Sequence, residues 1–290
     1  MQFSVIVPFL NEERYIEHCV VALRTQTVPR ANYELIFVDN GSRDASARIV
    51  RSYPDIVMVE QIRVPRNVYA TRNRGLQLAT GEIMAFTDAD CKPAPDWLAQ
   101  IGAGMLRTGA EIVLGRRRFA PRASRAVRMF EDYENAKAEY VVGARDGRFR
   151  FGFGNNMAVR RSVFEALGPF AELPLSGDTE LVQRCAEQLA GARVAYVEEM
   201  VVEHLEVTSV TQWMQKLRMY GTHNRQVKGM RRGYEELRMG AKIEIARQCA
   251  LVNGYGPLQT AAFLGLLAVG NLFYADGRHS TQRPSRGSAG

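Results

Sequence analysis

The chain reads as an α/β protein with a mostly parallel sheet flanked by helices and a helical C-terminal extension. Three observations carry that reading. Short runs of β-branched and large apolar residues recur up to about Gly115, each closing on proline, glycine or a carboxylate. Amphipathic segments with helical spacing separate these runs, an alternation that implies a parallel sheet with right-handed crossovers. Further on, the strand signal gives way to a basic stretch and then to Gln248–Ala275, which holds no charged residue.

The elements follow in order. Phe3 to Pro8 is a first strand closed by proline, and Asn11 is expected to cap a helix carrying Ile16, Val20 and Leu23. Glu34–Val38 is a second strand, ending in the turn chemistry of Asp39-Asn40-Gly41-Ser42, with a helix over about Asp44 to Tyr53. Ile56–Val59 supplies a third strand and Tyr69–Ala79 a third helix, stopped by Gly81. Ile83–Thr87 is the fourth strand and leaves the sheet at Asp88-Ala89-Asp90. Alternate residues of an extended chain point the same way, so the two carboxylates can converge on one hard cation. Strand ends of open parallel sheets are also where ligands bind.

Past Asp90, the segment Cys91–Leu98 is expected to turn into a helix with Pro95 and Asp96 in its first turn, followed by a strand over Glu111–Gly115. Ser124–Tyr140 reads as a charged helix, and Gly143–Gly154 as a glycine- and arginine-rich loop that could cover a substrate. Asn155–Val159 is a strand leading into a helix through Leu167. Asp178 opens another helix, where the dipole favours a carboxylate, and a plain N-cap is its alternative role. Arg193–Val197 and Val201–Val202 read as two late strands with His204 just beyond, and a basic helix runs from Ser209 to about Arg231. Leu258–Ala275 is about long enough to cross a bilayer core. Gly265, Gly270 and Asn271 favour an interfacial or core-packed helix instead. The last residues, from 276, form a polar tail expected to be disordered.

Bulk properties narrow the function. The net charge of +7 is uneven, with twelve Lys/Arg against five Asp/Glu over Arg116–Arg161 and near balance before it. Such asymmetry suits an acidic lipid surface, a phosphorylated substrate or nucleic acid, although a solvated basic face is the plainer account. No recognition motif or regular aromatic interleaving supports nucleic acid. The four cysteines show no CxxC pairing, which argues against a disulfide framework or zinc site and for a reducing, cytoplasmic setting. Phe3–Pro8 is too short for a signal-peptide core.

Several stretches together resemble the family 2 glycosyltransferases of the GT-A fold, a Rossmann-like architecture. They are Ser4–Pro8, Asn11-Glu12, Phe37–Asp44, Arg72–Gly75, Asp88-Ala89-Asp90, Asn155–Arg161 and Gly177–Leu181. A lone Asp-x-Asp is weak, but the ordered set after successive strands is specific. The resemblance implies an inverting, metal-dependent glycosyltransferase with a nucleotide-sugar donor, UDP-linked by preference, and a carbohydrate or lipid-linked acceptor. It places Pro8, Asn11, Glu12, Asp39, Arg72 and Asp88 on the donor and Asp90 and His204 on Mn²⁺ or Mg²⁺. Asp178 is implied as the base, and Asn155, Asn156 and Glu180 lie on the acceptor side. A plain turn residue is the alternative role for Asp39. The chain departs from the family pattern at Asn67, at Tyr69 where a small residue is usual, and at Gly177 where the family carries Glu. These departures leave room for a non-catalytic nucleotide-sugar-binding protein. A sugar-phosphate nucleotidyltransferase is the other rival, disfavoured by the acidic, glycine-free turn Pro8–Glu12.

On this reading residues 1–206 are the catalytic domain, with a donor half 1–115 and an acceptor half 116–206. Residues 207–247 are a basic helical extension and 248–275 an uncharged helical segment. The basic half and the uncharged segment together point to peripheral work at the inner face of the cell membrane.

Overall fold

The computed structural model of the chain describes residues 1–61, 66–143, 151–228 and 237–279. Eight strands form one sheet: β1 (Phe3–Phe9), β2 (Tyr33–Asp39), β3 (Val57–Glu60), β4 (Ile83–Thr87), β5 (Cys91–Pro93), β6 (Ile112–Phe119), β7 (Asn156–Arg160) and β8 (Val194–His204). Between and after them run α1 (Ile16–Arg24), α2 (Ser46–Arg51), α3 (Val68–Leu76), α4 (Trp97–Thr108), α5 (Arg125–Gly143), α6 (Arg161–Leu167) and α7 (Gly177–Gln188). The chain then continues through α8 (Val210–Lys228), α9 (Met239–Val252) and α10 (Pro257–His279).

The sheet order is β3-β2-β1-β4-β7-β6-β8-β5. The first four strands in this order are parallel, as the alternation predicts. Strand β7 runs antiparallel to both β4 and β6, β8 is parallel to β6, and β5 is antiparallel to β8. The central strands are apolar throughout because both faces are covered. Val5, Val7, Leu35, Phe37 and Ala85 pack on one face with Trp97. The intervening Ile6, Ile36, Val38, Met84 and Phe86 pack on the other with Met157 and Phe170. Two smaller clusters, around Phe130 and Trp213 and around Tyr133 and Phe263, join α5 to the C-terminal helices.

Several expectations change. Asn11 is no helix cap: α1 starts at Ile16 with no side-chain cap, and Asn11 adopts a left-handed φ of 56°. Its Oδ1 accepts from the Arg43 N–H at 2.8 Å while its own N–H donates to Ser42 Oγ, tying the first turn to the second. The two late strands are one, β8, interrupted by a register shift opposite Gly115/Arg116. Cys91–Pro93 is strand rather than helix entry, because it pairs with Val202–His204. The Gly143–Gly154 loop, the end of the basic helix and the polar tail lie largely outside the described residues.

Among the described residues, α10 alone is long and apolar enough to cross a membrane. One side packs on α8, where Gly221 and Gly277 let the two backbones approach closely. The other side is bare: Leu258 is 88% and Leu272 69% exposed, and on α9 Leu251 and Val252 are 65% and 84% exposed.

Candidate active site

Asp88 and Asp90 stand just beyond β4, as the sequence predicts, but they meet different surroundings. Asp88 Oδ1 accepts from Arg72 Nη2 at 2.6 Å. Arg72, on α3, is buried, so it holds Asp88 from beneath rather than reaching outward. Gly154 makes room for it, since a Cβ there would lie 2.5 Å from Arg72 Cζ. Asp90 is largely buried, with its Oδ2 3.4 Å from His204 Nε2. Burial raises the Asp90 carboxyl above the ordinary range. His204 ends β8, opposite Cys91 on one side and Phe119 on the other. Burial, reinforced by Lys216, lowers its pKa to about 3, so its imidazole is neutral.

A neutral imidazole nitrogen and a carboxylate oxygen facing each other could serve as a nitrogen–oxygen donor pair for a divalent ion, and His204 Nδ1 has no hydrogen-bond partner among the described residues. Asp90, Cys91 and His204 offer ligand atoms within 4.8 Å of one another. Burial pushes the Cys91 thiol well up, which disfavours it as a ligand relative to the oxygen and nitrogen. Two further groups lie here that the sequence reading did not place. Lys216 of α8 pairs with Glu206 at 2.6 Å and sits 3.5 Å from His204 Nε2. Glu12, expected on the donor, shares this acid cluster: burial first, then Asp90, Glu206 and Asp88, raise its carboxyl to about 8.

Asp178 lies in the first turn of α7 and is not its N-cap, a position taken by Ser176. Its Oδ2 accepts from the Gly154 N–H at 2.8 Å and its Oδ1 from the Thr179 N–H at 2.7 Å. Tyr69 is buried beside this carboxylate, and burial together with the Asp178 charge raises the Tyr69 phenol. Gly177 explains why Tyr69 fits: a Cβ on Gly177 would lie 2.9 Å from the Tyr69 ring and 2.6 Å from the Ala171 carbonyl oxygen. The two departures noted in the sequence are one arrangement, in which an aromatic ring fills the space above a bare glycine.

The remaining predicted residues divide. Asn155 lines the same cavity as Asp88, Asp90, Asp178 and His204, a space of about 470 Å³. Asn156 does not. It is fully buried, and its side chain accepts from Trp97 Nε1 at 2.8 Å and donates to the Arg116 and Met200 carbonyls, so nothing is left for an acceptor. Glu180 is also outside the cavity lining and pairs with Arg184 at 3.0 Å. Asp39 uses Oδ1 in a turn, accepting from both the N–H and the hydroxyl of Ser42. Pro8 is buried in β1 opposite Val38. Pro8, Asn11 and Asp39 cluster at the β1 and β2 ends, outside the cavity.

Comparison with known proteins bears on this arrangement. The family model described as glycosyl transferase family 2 matches residues 4–168. Glycosyltransferase AglE of Haloferax volcanii is 30% identical over 208 residues, covering 69% of this chain and 66% of AglE. The chain therefore spans just under two-thirds of that relative's length. Mannosyltransferase PcManGT from Pyrobaculum calidifontis, solved with GDP-Man and Mn²⁺, superposes with a TM-score of 0.59 at 22% identity, over 95% of this chain and 84% of that one. Residues 1–349 of TarS from S. aureus, solved with UDP, superpose with a TM-score of 0.56 at 18% identity, over 94% and 81%. These structural likenesses establish the GT-A fold.

Proposed function

The chain belongs to glycosyl transferase family 2, and from that premise we propose that it moves a sugar from a nucleotide-sugar donor, UDP-linked, to an acceptor hydroxyl with inversion at the anomeric carbon. The observation that carries the reading is the single cavity lined by Asp178 together with Asp88, Asp90 and His204. Asp178 is the base. Its carboxylate takes the acceptor proton as the oxygen attacks, on the face opposite the departing diphosphate. The Gly154 and Thr179 N–H groups fix its orientation. Pro8, Asn11 and Asp39 border the nucleoside, and Arg72 serves the donor through Asp88. Asp90 and His204 would hold Mn²⁺ or Mg²⁺, which when bound neutralises charge developing on the diphosphate.

The GDP-Man, Mn²⁺ and UDP held by neighbours of the same fold support a nucleotide-sugar donor and a divalent ion. TarS is named for action on poly(ribitol-phosphate), which supports a cell-envelope polymer or lipid-linked acceptor. The bare faces of α9 and α10, next to a stretch (207–247) with nine Lys/Arg against three Asp/Glu, support peripheral contact with an anionic cytoplasmic leaflet. Liposome flotation at low salt tests that contact.

The central test is a screen of UDP-, GDP- and dTDP-sugars with and without Mn²⁺, followed by Asp178→Asn. That variant should keep donor and metal binding and lose transfer. Unimpaired transfer would remove Asp178 from the role, and donor binding without acceptor-dependent nucleotide release would mark a binding protein instead.

A further inference from the structure

The cavity extends well past Asp178, beneath α5, α8 and α10, and its far wall is mostly aromatic and aliphatic, with Phe130, Tyr133, Leu217 and Leu267. Cations are set into this wall. Arg117, on β6, lies over the Phe153 ring with Cζ 4.1 Å from the centroid, and its side chain is 15% exposed. Neither Nε nor Nη2 has a hydrogen-bond partner among the described residues. The nearest carboxylate, Glu134, is 3.7 Å from Nη2 and is held more closely by Lys137, at 2.6 Å. Two cations thus share one carboxylate, leaving a net positive charge and unmade charged donors beside an apolar space. A guanidinium in this state is poorly satisfied by protein alone and well matched to a phosphate, which accepts along its N–H edge.

Pro8, Asn11 and Asp39 lie outside this cavity, whereas Asp88, Asp90 and His204 line it as well. The apolar wall beside Arg117, which a nucleotide sugar does not match, is what assigns this anion to the other reactant rather than to the donor diphosphate. Resting on the glycosyl-transfer reading, we infer that Arg117 and Lys137 form an anion subsite for a phosphate carried by the acceptor. The apolar wall suits an aliphatic chain attached to that phosphate. Two sources share this chemistry, a lipid phosphate and a soluble phosphate ester, and binding separates them.

Trp213 lines the cavity, whereas the other tryptophan, Trp97, is fully buried beside Asn156, so intrinsic fluorescence reports occupancy. The 290-residue chain is titrated with submicellar decyl phosphate, glycerol 3-phosphate, neutral decyl glucoside and UDP. Arg117→Met should weaken phosphate-ester binding at least tenfold and leave decyl glucoside and UDP binding within twofold. A tenfold preference for decyl phosphate over glycerol 3-phosphate assigns the anion to a lipid, and equal binding assigns it to a soluble ester. Unchanged phosphate-ester affinity in Arg117→Met overturns the subsite. Weakened UDP binding with unchanged phosphate-ester binding does so too, by returning Arg117 to the donor. Lys137→Met, on a different element, keeps the test open should Arg117→Met fail to fold. Failure of UDP to bind the wild type would sink the donor reading while leaving the phosphate titration decisive.

Discussion

Glu12→Gln gives a stability change whose sign follows from one carboxyl. Glu12 is half-buried among Asp90, Glu206 and Asp88, and its folded pKa is about 8 against an ordinary 4.5. A carboxyl raised by folding is protonated in both states below 4.5. As pH climbs from 4.5 towards 8, the unfolded chain ionises and the folded one does not. Stability is therefore lost across that window and levels off above it. The displacement corresponds to roughly 5 kcal/mol at full strength. With the group only half-buried, solvent screening reduces this to about 2 kcal/mol. Glutamine mimics the neutral acid, so Glu12→Gln should match wild type near pH 4.5 and exceed it by about 2 kcal/mol at pH 8.5. Urea unfolding in EDTA at both pH values reads the difference. Equal stability at pH 8.5, or a deficit in the variant, would show that Glu12 is not crowded by these acids.

Three other substitutions probe the site. Gly154→Ala drives a methyl into the Arg72 guanidinium and breaks its pair with the partly exposed Asp88. It should cost about 2 kcal/mol in thermal or urea unfolding, and donor affinity should fall with it. Tyr69→Phe keeps the ring over Gly177 and removes the hydroxyl whose titration the Asp178 charge perturbs, so kcat should drop about tenfold with donor KM unchanged; an unaltered kcat would make Tyr69 merely a filler. Asn156→Leu leaves the Trp97 N–H and two carbonyls without partners and should destabilise by about 3 kcal/mol. A specific rise in acceptor KM at unchanged stability would restore Asn156 to the acceptor side.

Much of this architecture was legible in sequence because the central strands are buried on both faces and read as unbroken apolar runs. The carboxylates at 88 and 90 were legible for the same reason, since they end such a run abruptly. What escaped was decided by long-range contact. Cys91–Pro93 is too short to announce a strand, and only Val202–His204 makes it one. Asn11 looked like a cap until Ser42 and Arg43 claimed its polar groups. Asn156 sits beside Asn155 in a polar pair, yet Asn155, in the turn before β7, lines the cavity while Asn156, the first residue of the strand, is held by Trp97. Arg117, Glu134 and Lys216 come from a strand and two helices that no local pattern brings together. Glu12 was assigned to the donor by its turn, whereas its environment is set by acids far along the chain.

Tyr69 and Gly177 carry a consequence for how such chains diverge. The ring occupies the volume that any side chain at 177 would need, so the two positions are mutually exclusive and cannot drift separately. An acidic residue at 177 needs both a small residue at 69 and withdrawal of the Ala171 carbonyl, and shrinking 69 alone leaves an open void beside Asp178. The pair forms an epistatic lock. A substitution judged at either position alone misses the constraint that the other imposes.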